Sequence, residues 1–260
     1  MRGLLKKYFK AKGYDDEVLV PLGIIRKYFW KINWIKTIWF NFKALPFSQA
    51  RFLPFILGYR CRIKKVGQIQ ICGKVSPGMI SIGVIRLLTD TNTERLLFSN
   101  KGKLLLSGRV KFHPGAKIVI KKNGTLLLGQ RVAIGSFTKI FCSTGITMGH
   151  DVRISWESQI FDTDFHFLSN TVTGKIYDRK APVEIGNNVF IGNRCTIGKG
   201  THLCDGTVVS CCSKVSGDFS NDGENVLIVG NPAKVVKKGV QMSSGWFPKK
   251  EAIIAKEKFE

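Results

Sequence analysis

The chain has 260 residues, 44% of them hydrophobic, which is enough to bury a substantial core and excludes wholesale disorder. It carries 41 Lys and Arg against 18 Asp and Glu, a formal charge of +23, which points towards polyanionic ligands, nucleic acid or an anionic membrane surface without choosing among them. Seven cysteines, an odd number, argue against a fully paired disulfide framework and for a reducing compartment.

Residues 1–65 hold 15 Lys and Arg and only three acids, Asp15, Asp16 and Glu17, a net of +12. The basic start MRGLLKKYFKAKGYDDE lacks the uncharged apolar centre and small-residue cleavage site of a secretory leader, and no run of 18 uncharged apolar residues occurs in the chain. A cytoplasmic protein is therefore expected. The stretch LGIIRKYFWKINWIKTIWFNF reads at helical spacing, with Ile25, Tyr28 or Phe29, Ile32, Ile35 and Trp39 on one face and Lys27, Lys31 and Asn33 off it. Such helices either cap the following domain with their aromatic face or lie on an anionic membrane, where Trp and Lys suit the interface. The two readings are compatible, and the second would hold the protein peripherally at the inner membrane face.

From about residue 66 the texture changes to short β-rich runs with glycine punctuation, such as IQICG, MISIGVI and IVIKKNGTLLLG. Residues 66–127 read as irregular coils of a β domain. Beyond them a six-residue repeat takes over. Ile185, Ile191, Ile197, Leu203, Val209 and Val215 follow one another at an unbroken spacing of six. The next position is small in most units: Gly186, Gly192, Gly198, Ser210 and Ser216, with Cys204 the exception. Position i+4 is small or β-branched: Val189, Cys195, Thr201, Thr207 and Ser213. An earlier series, Leu128, Ile134, Ile140 and Ile146, slips by two to Met148, Ile154 and Ile160. A period of six fits neither a helix nor a plain alternating strand. It fits coils of short flat strands, three hexads to a turn, stacked into a solenoid that needs a cap at each end.

These hexads, with ISWESQIFDTDFH, then APVEIGNNVFIGNRCTIGKGTHL and finally VGNPAKVVKKGV, resemble the hexapeptide-repeat acyltransferases. They are most similar to the maltose and galactoside O-acetyltransferase branch and its relatives in capsule and lipopolysaccharide synthesis. The resemblance is clear over residues 128–240. It implies an all-β solenoid, a left-handed parallel β-helix, here with a short α-helical N-terminal cap and a C-terminal tail. The expected organisation is a basic aromatic helical segment at 1–65, the β-helix at 66–240 with a loop excursion at 167–182, and a tail at 241–260. The resemblance further implies acetyl-CoA as acyl donor, a sugar or lipid-linked saccharide as acceptor, and a homotrimer with active sites between subunits.

Moving an acyl group from a thioester to a hydroxyl requires a base, an oxyanion donor and a grip on the CoA tail. Of the four histidines, His113, His150 and His202 read as structural or surface residues. His166 follows FDTDF where the hexads stop, before residues 167–182 leave the rod and Val183 and Ile185 resume it. In the resembling family the catalytic histidine sits at this place, and a neutral imidazole accepts a proton at cellular pH. Asp162 and Asp164 beside it orient the imidazole, hold sugar hydroxyls, or form a solvated turn. Trp156 stacks on a sugar face or packs under the loop.

The family's oxyanion donor, a backbone N–H on the coil after the loop, maps onto Ile191-Gly192-Asn193, with Phe190 where relatives often carry Trp. Cys211 and Ser216 match the stretch that lines pantetheine, although Cys211 and Cys212 replace a usual Ala-Gly pair and Gly217 replaces an expected Lys. Lys234, with Lys237 and Lys238, follows the last coil where the family binds the CoA phosphates, and point-charge lysines suit that task.

No metal is expected. Cys195, Cys204, Cys211, Cys212 and His202 cluster in sequence, but no CxxC pair exists and Cys195 fills an inward hexad slot. A γ-type carbonic anhydrase needs a close histidine pair, which the chain lacks, and a sugar nucleotidyltransferase needs a Gly-rich α/β domain unlike residues 1–65. Two other classes stay open at this level: a non-catalytic β-helix scaffold, and a basic membrane- or nucleic-acid-binding protein. Nucleic acid is not expected as a partner, because no recognition motif for it is present.

Overall fold

A computed structural model describes residues 25–85 and 95–242. Its N-terminal part is helical, with a 3-10 turn at Phe29–Lys31 followed by an α-helix at Trp34–Ala44 and a short one at Phe47–Ala50. Asn33 sets the start of the main helix, its side chain accepting from the Lys36 N–H at 3.0 Å. Leu45 and Pro46 end it, since the residue before a proline is pushed out of the helical region.

The helical phase is broken at Ile32 and Asn33, so the expected single face does not form. Ile32 is fully buried and bridges Gly58, and the Asn33 N–H donates to the Leu57 carbonyl at 2.7 Å. The helix restarts behind that junction with a different face inward: Thr37, Phe40 and Asn41 are buried, while Ile35 and Trp39 point away from the rod.

The buried polar pair closes the open end of the β-structure. Thr37 Oγ1 accepts from the Leu57 N–H at 3.0 Å. Asn41 Oδ1 accepts from the Phe55 N–H at 3.0 Å, and Asn41 Nδ2 donates to the Phe55 carbonyl at 2.8 Å. The first strand thus has its free edge covered by side chains instead of another strand.

The coils begin at Phe55, eleven positions before the expected boundary at 66. Phe55–Leu57 pairs with Ile80–Ile82, and Cys61–Lys65 pairs with Leu96–Asn100. Composition hides this start because the basic, aromatic texture of the cap runs on into the first coil, and Phe55, Ile56 and Leu57 are all buried under the helix.

Thereafter the chain visits three sheets in rotation, of nine, seven and six strands, parallel throughout except for the last strand of the first, forming a left-handed parallel β-helix of triangular section. Val132–Ile134 lies on the first face, Lys139–Cys142 on the second and Gly145–Met148 on the third, before Arg153–Ile154 returns to the first. Register stacks each inward aliphatic on its equivalent. On the first face Ile134, Ile154, Ile191, Val209 and Ile228 form one file. Ile140, Ile160, Ile197 and Val215 form the second, and Leu128, Met148, Ile185 and Leu203 the third. Each such side chain is buried and contributes about 1.5–3 kcal/mol relative to exposure.

The slip of two between Ile146 and Met148 has a local cause. Both residues lie on one strand of the third face, Gly145–Met148, and both point inward, opposite Val183 and Ile185. The extra length lies in the strands: Lys139–Cys142 and Gly145–Met148 have four residues each where later coils have two, and the corner between them, Ser143 and Thr144, is short.

The described parts of 66–127, residues 66–85 and 95–127, lie on the same three sheets, and a register shift between Ile63 and Lys65 precedes them. Their hexads are blurred because the strands are longer, three to five residues against two: Phe112 and Ile134, partners on neighbouring coils, are 22 positions apart, whereas Ile191 and Val209 are 18 apart. At the far end Ala233–Lys238 folds back antiparallel on Val226–Gly230 and covers the last edge of the first face. The expected tail lies, from residue 243, outside the described residues.

Replacing Asn41 with Ala strands the buried N–H and C=O of Phe55. Thermal unfolding should show a loss of about 1–3 kcal/mol, against little change for the exposed neighbour Lys43→Ala.

Candidate functional site

Beyond Leu96 the rod is interrupted by a long excursion at the corner between the second and third faces. After Gln159–Phe161 the chain leaves at residue 162 and returns at Val183–Ile185, carrying a small antiparallel hairpin of Leu168–Ser169 and Ile176–Tyr177. Three sets of contacts hold this excursion. The Phe165 ring packs edge-on to Phe141 and Phe161, with centroids 4.8 and 5.5 Å away, on the outer surface of the second face. Asp164 forms an ion pair with Lys199 of the next coil at 2.6 Å, and Lys199 Nζ also donates to the Asp178 carbonyl. The Asp164 N–H donates to the Arg179 carbonyl at 2.8 Å, joining the two stems.

His166 stands at the tip of the turn these contacts define. Its N–H donates to the Asp164 carbonyl at 2.8 Å, and the preceding Phe165 takes a left-handed φ of 65°. The residue is exposed, and its imidazole makes no hydrogen bond to a described residue. Neither neighbouring carboxylate touches the ring. Asp164 is committed to Lys199.

Asp162 corrects the sequence reading outright. It is fully buried, and its carboxylate accepts from the N–H groups of Ser143 at 2.7 Å, Thr144 at 2.6 Å and Gly145 at 2.8 Å. Those are the donors of the short corner between the two lengthened strands that cause the slip in the repeat. With its oxygens spent on backbone, Asp162 holds the root of the excursion and has no lone pair facing a ligand. It also pushes up the thiol of Cys142, secondarily to burial.

The remaining candidates occupy a different corner, between the first and second faces. The Arg194 N–H donates to the Trp156 carbonyl at 3.1 Å, and the Cys212 N–H to the Asn193 carbonyl at 3.0 Å, so Trp156, Asn193 and Cys212 follow one another on successive coils. Gly192 is required there: a Cβ would lie 2.7 Å from the Cys211 nitrogen. The Gly192 N–H is spent on the Val209 carbonyl at 2.9 Å, whereas the Asn193 N–H has no backbone acceptor among the described residues. Of the two, Asn193 alone offers an unspent donor.

Phe190 is half-buried on the adjoining first face, in register with Arg153 and Val208. Lys234 is exposed on the last strand of that face, opposite Val229. Ser216 is exposed at the excursion's corner, where a Cβ on Gly198 would lie 3.3 Å from its own.

The candidates therefore divide. His166, Asp164 and Ser216 belong to the corner between the second and third faces, and Trp156, Gly192, Asn193 and Cys211 to the corner between the first and second. Six residues of extended chain separate the corners, roughly 20 Å.

Sequence reading missed Lys199 and the Phe141–Phe161–Phe165 cluster. A signal for the latter existed: Phe141 and Phe161 stand in outward hexad slots where polar residues are usual, and their strands are direct partners. His150 and His113 are buried in structural roles, the first accepting from the Gln130 N–H at 2.9 Å. Cys195 lies inward with its thiol 3.0 Å from the Ser210 carbonyl, and burial pushes its pKa up. Burial likewise pushes Cys61 to about 12. Among the described residues no three His, Cys, Asp or Glu side chains are grouped to hold a metal ion.

No family model matches the chain. It is 31% identical over 203 residues to an uncharacterized 24.8 kDa protein in the cps region of Klebsiella pneumoniae, spanning 76% of this chain and 86% of that one. It is 25% identical over 178 residues to a lipopolysaccharide biosynthesis O-acetyl transferase, WbbJ, of Escherichia coli, described as putative, with 60% and 88% covered. A probable acetyltransferase of Mycobacterium tuberculosis, Rv3034c, is 32% identical over 133 residues, 48% of this chain and 41% of that one. Among solved structures, the polySia-specific acetyltransferase NeuO overlays with a TM-score of 0.48 at 19% identity, covering 80% of this chain and 99% of NeuO.

Two outcomes follow from the geometry. Asp162→Ala should lower stability in thermal unfolding by roughly 3 kcal/mol, because buried donors to a charged group are orphaned; Asp164→Ala, which removes a partly exposed pair, should cost under about 1 kcal/mol. Iodoacetamide at neutral pH, read by mass spectrometry, should label the exposed Cys211 and Cys212 in the native protein, and Cys61, Cys142 and Cys195 only after denaturation.

Proposed function

Because the chain belongs to the hexapeptide-repeat acyltransferases of surface-polysaccharide synthesis, we propose that it transfers an acyl group, acetyl in the first instance, from a CoA thioester to a hydroxyl of a sugar or lipid-linked saccharide. The observation that carries this reading is the placing of His166. The break in the rod at residue 162 is clamped at its root by Asp162, on its flank by Lys199 and on its underside by Phe165, so that an imidazole with no hydrogen-bond partner among the described residues is held out from a rigid corner.

His166 takes the proton of the acceptor hydroxyl as its oxygen attacks the thioester carbonyl. The Asn193 N–H receives the charge that develops on the carbonyl oxygen. Collapse of the tetrahedral adduct breaks the carbon–sulfur bond, and the imidazolium returns its proton to the departing CoA thiolate. Cys211 and Ser216 supply edges for pantetheine and Lys234 a cation for a CoA phosphate, while Trp156 offers a ring for the sugar. Asp164 acts indirectly, through Lys199, by holding the turn that carries His166.

The distribution of these residues over two corners supports a homotrimer. A base at one corner and an oxyanion donor at another, a full face apart, form one site when the second corner belongs to a neighbouring subunit. With a CoA thioester as donor, the proposed reaction runs on the cytoplasmic side of the membrane. Among the described residues no helix is long and apolar enough to cross a membrane.

His166→Ala should lower turnover, measured as CoA thiol release with a sugar acceptor, by about 10²–10⁴-fold, with the oligomer unchanged in light scattering. Near-normal turnover would remove His166 from the mechanism.

A further inference from the structure

The helix Trp34–Ala44 spends its polar stripe inward and shows its apolar stripe to solvent. Thr37 and Asn41 are buried against the first strand, yet Ile35 and Trp39 are 84% and 51% exposed, and Ile38 and Phe42 lie between them on the same side. Trp30, at 87%, and Phe47, at 72%, extend the patch at either end. Capping the rod requires none of these side chains, so their exposure has no account within the chain. A contiguous aromatic and aliphatic surface of this kind marks an interaction site.

The described chain around it, residues 25–65, is cationic. Residues 25–65 contain ten Lys and Arg and no Asp or Glu. Beside the helix, Lys36, Arg60, Arg62 and Arg95 line a cavity of about 790 Å³ together with Tyr59 and Cys61. Lys36 Nζ donates to the carbonyls of Tyr59 at 3.1 Å and Cys61 at 3.3 Å, which fixes it at the mouth. Among the described residues Arg60, Arg62 and Arg95 have no carboxylate partner. Three guanidinium groups in one concavity, with no carboxylate partner among the described residues, repel one another and are relieved by an anion with several oxygens, such as a phosphate.

A soluble anion would use the cavity and leave the apolar stripe idle. An apolar protein partner would use the stripe and leave the arginines uncompensated. An anionic lipid surface uses both, aromatic and aliphatic side chains at the boundary of headgroups and acyl chains, and Lys and Arg against the lipid phosphates. We propose that this end of the rod is a docking surface for an anionic phospholipid membrane, with the stripe of Ile35, Ile38, Trp39 and Phe42 inserted and Lys36, Arg60, Arg62 and Arg95 meeting headgroup phosphates. On the second face the excursion strand Gln159–Phe161 lies four strands beyond Cys61–Lys65, so docking would hold His166 about 19 Å along the rod from the membrane. The proposal stands on the surface alone and is independent of acyl transfer.

Flotation of the full-length protein with vesicles tests it. Binding is expected to vesicles of phosphatidylcholine and phosphatidylglycerol mixed equally, falling steeply as salt rises, and not to phosphatidylcholine alone. The variant Trp30→Ser/Trp39→Ser and the variant Arg60→Gln/Arg62→Gln/Arg95→Gln should each weaken partitioning roughly tenfold or more, with unchanged melting temperatures. Equal partitioning onto neutral and anionic vesicles, no partitioning, or insensitivity to both variants would overturn the proposal. So would stabilisation by inorganic pyrophosphate through the arginines without vesicle binding, which assigns the cavity to a soluble anion, or self-association abolished by the tryptophan variant, which assigns the stripe to a second copy.

Discussion

Every feature of this molecule is subordinate to one steric requirement, that the inward aliphatic of each coil land on its equivalent one coil away. Ile134, Ile154, Ile191, Val209 and Ile228 meet it on the first face although their sequence separations differ widely. Branched aliphatics close-packed in files tolerate little displacement along the strand, since a one-residue slip would turn the whole set outward. Variation is therefore taken up in ways that keep the files aligned. The slip of two and the long coils before residue 128 add residues to the strands in even numbers, which preserves the inward and outward sets, whereas the excursion at 162–182 leaves from a corner.

Corners are consequently where chemistry can be placed without disturbing the stack, and they need their own supports. The short corner at Ser143 and Thr144 leaves backbone donors in a dry interior, and the carboxylate of Asp162 satisfies them. The same residue is the first of the excursion, so the device that repairs one corner also anchors the other. Phe165 and Lys199 then fix the turn bearing His166 from two further directions. A loop held at three points is rigid enough to present an imidazole at a defined place, which a free excursion of that length is not.

The ends of the rod pose the opposite problem, because a parallel stack leaves unpaired backbone at its first and last strands. The C-terminal end is closed by ordinary means, a strand folded back upon the last coil. The N-terminal end is closed by Thr37 and Asn41 reaching from a helix to Leu57 and Phe55. That solution inverts the usual amphipathic helix and frees its apolar stripe. The charge excess noted at the outset is thereby divided: the ten cations of residues 25–65 surround that stripe, while Lys234 and its neighbours lie at the other end of the rod.

By itself the sequence determined the solenoid and its period, because a six-residue repeat of aliphatic and small residues has no other packing solution, and it singled out His166, because a histidine at the point where a repeat stops is visible without coordinates. It also located the cap, the excursion and the corner glycine Gly192. Only the tertiary structure decided where the coils begin, since Phe55 to Leu57 look like cap residues until their strand partner is seen. It alone turned Asp162 from a ligand-facing carboxylate into a clamp on Ser143, Thr144 and Gly145, and turned Ile35 and Trp39 from the buried side of a helix to the exposed one. Those assignments depend on which backbone donors a distant coil leaves unsatisfied and on where a helix restarts its phase. Neither quantity is written in local spacing; both are set by what comes to lie one coil away.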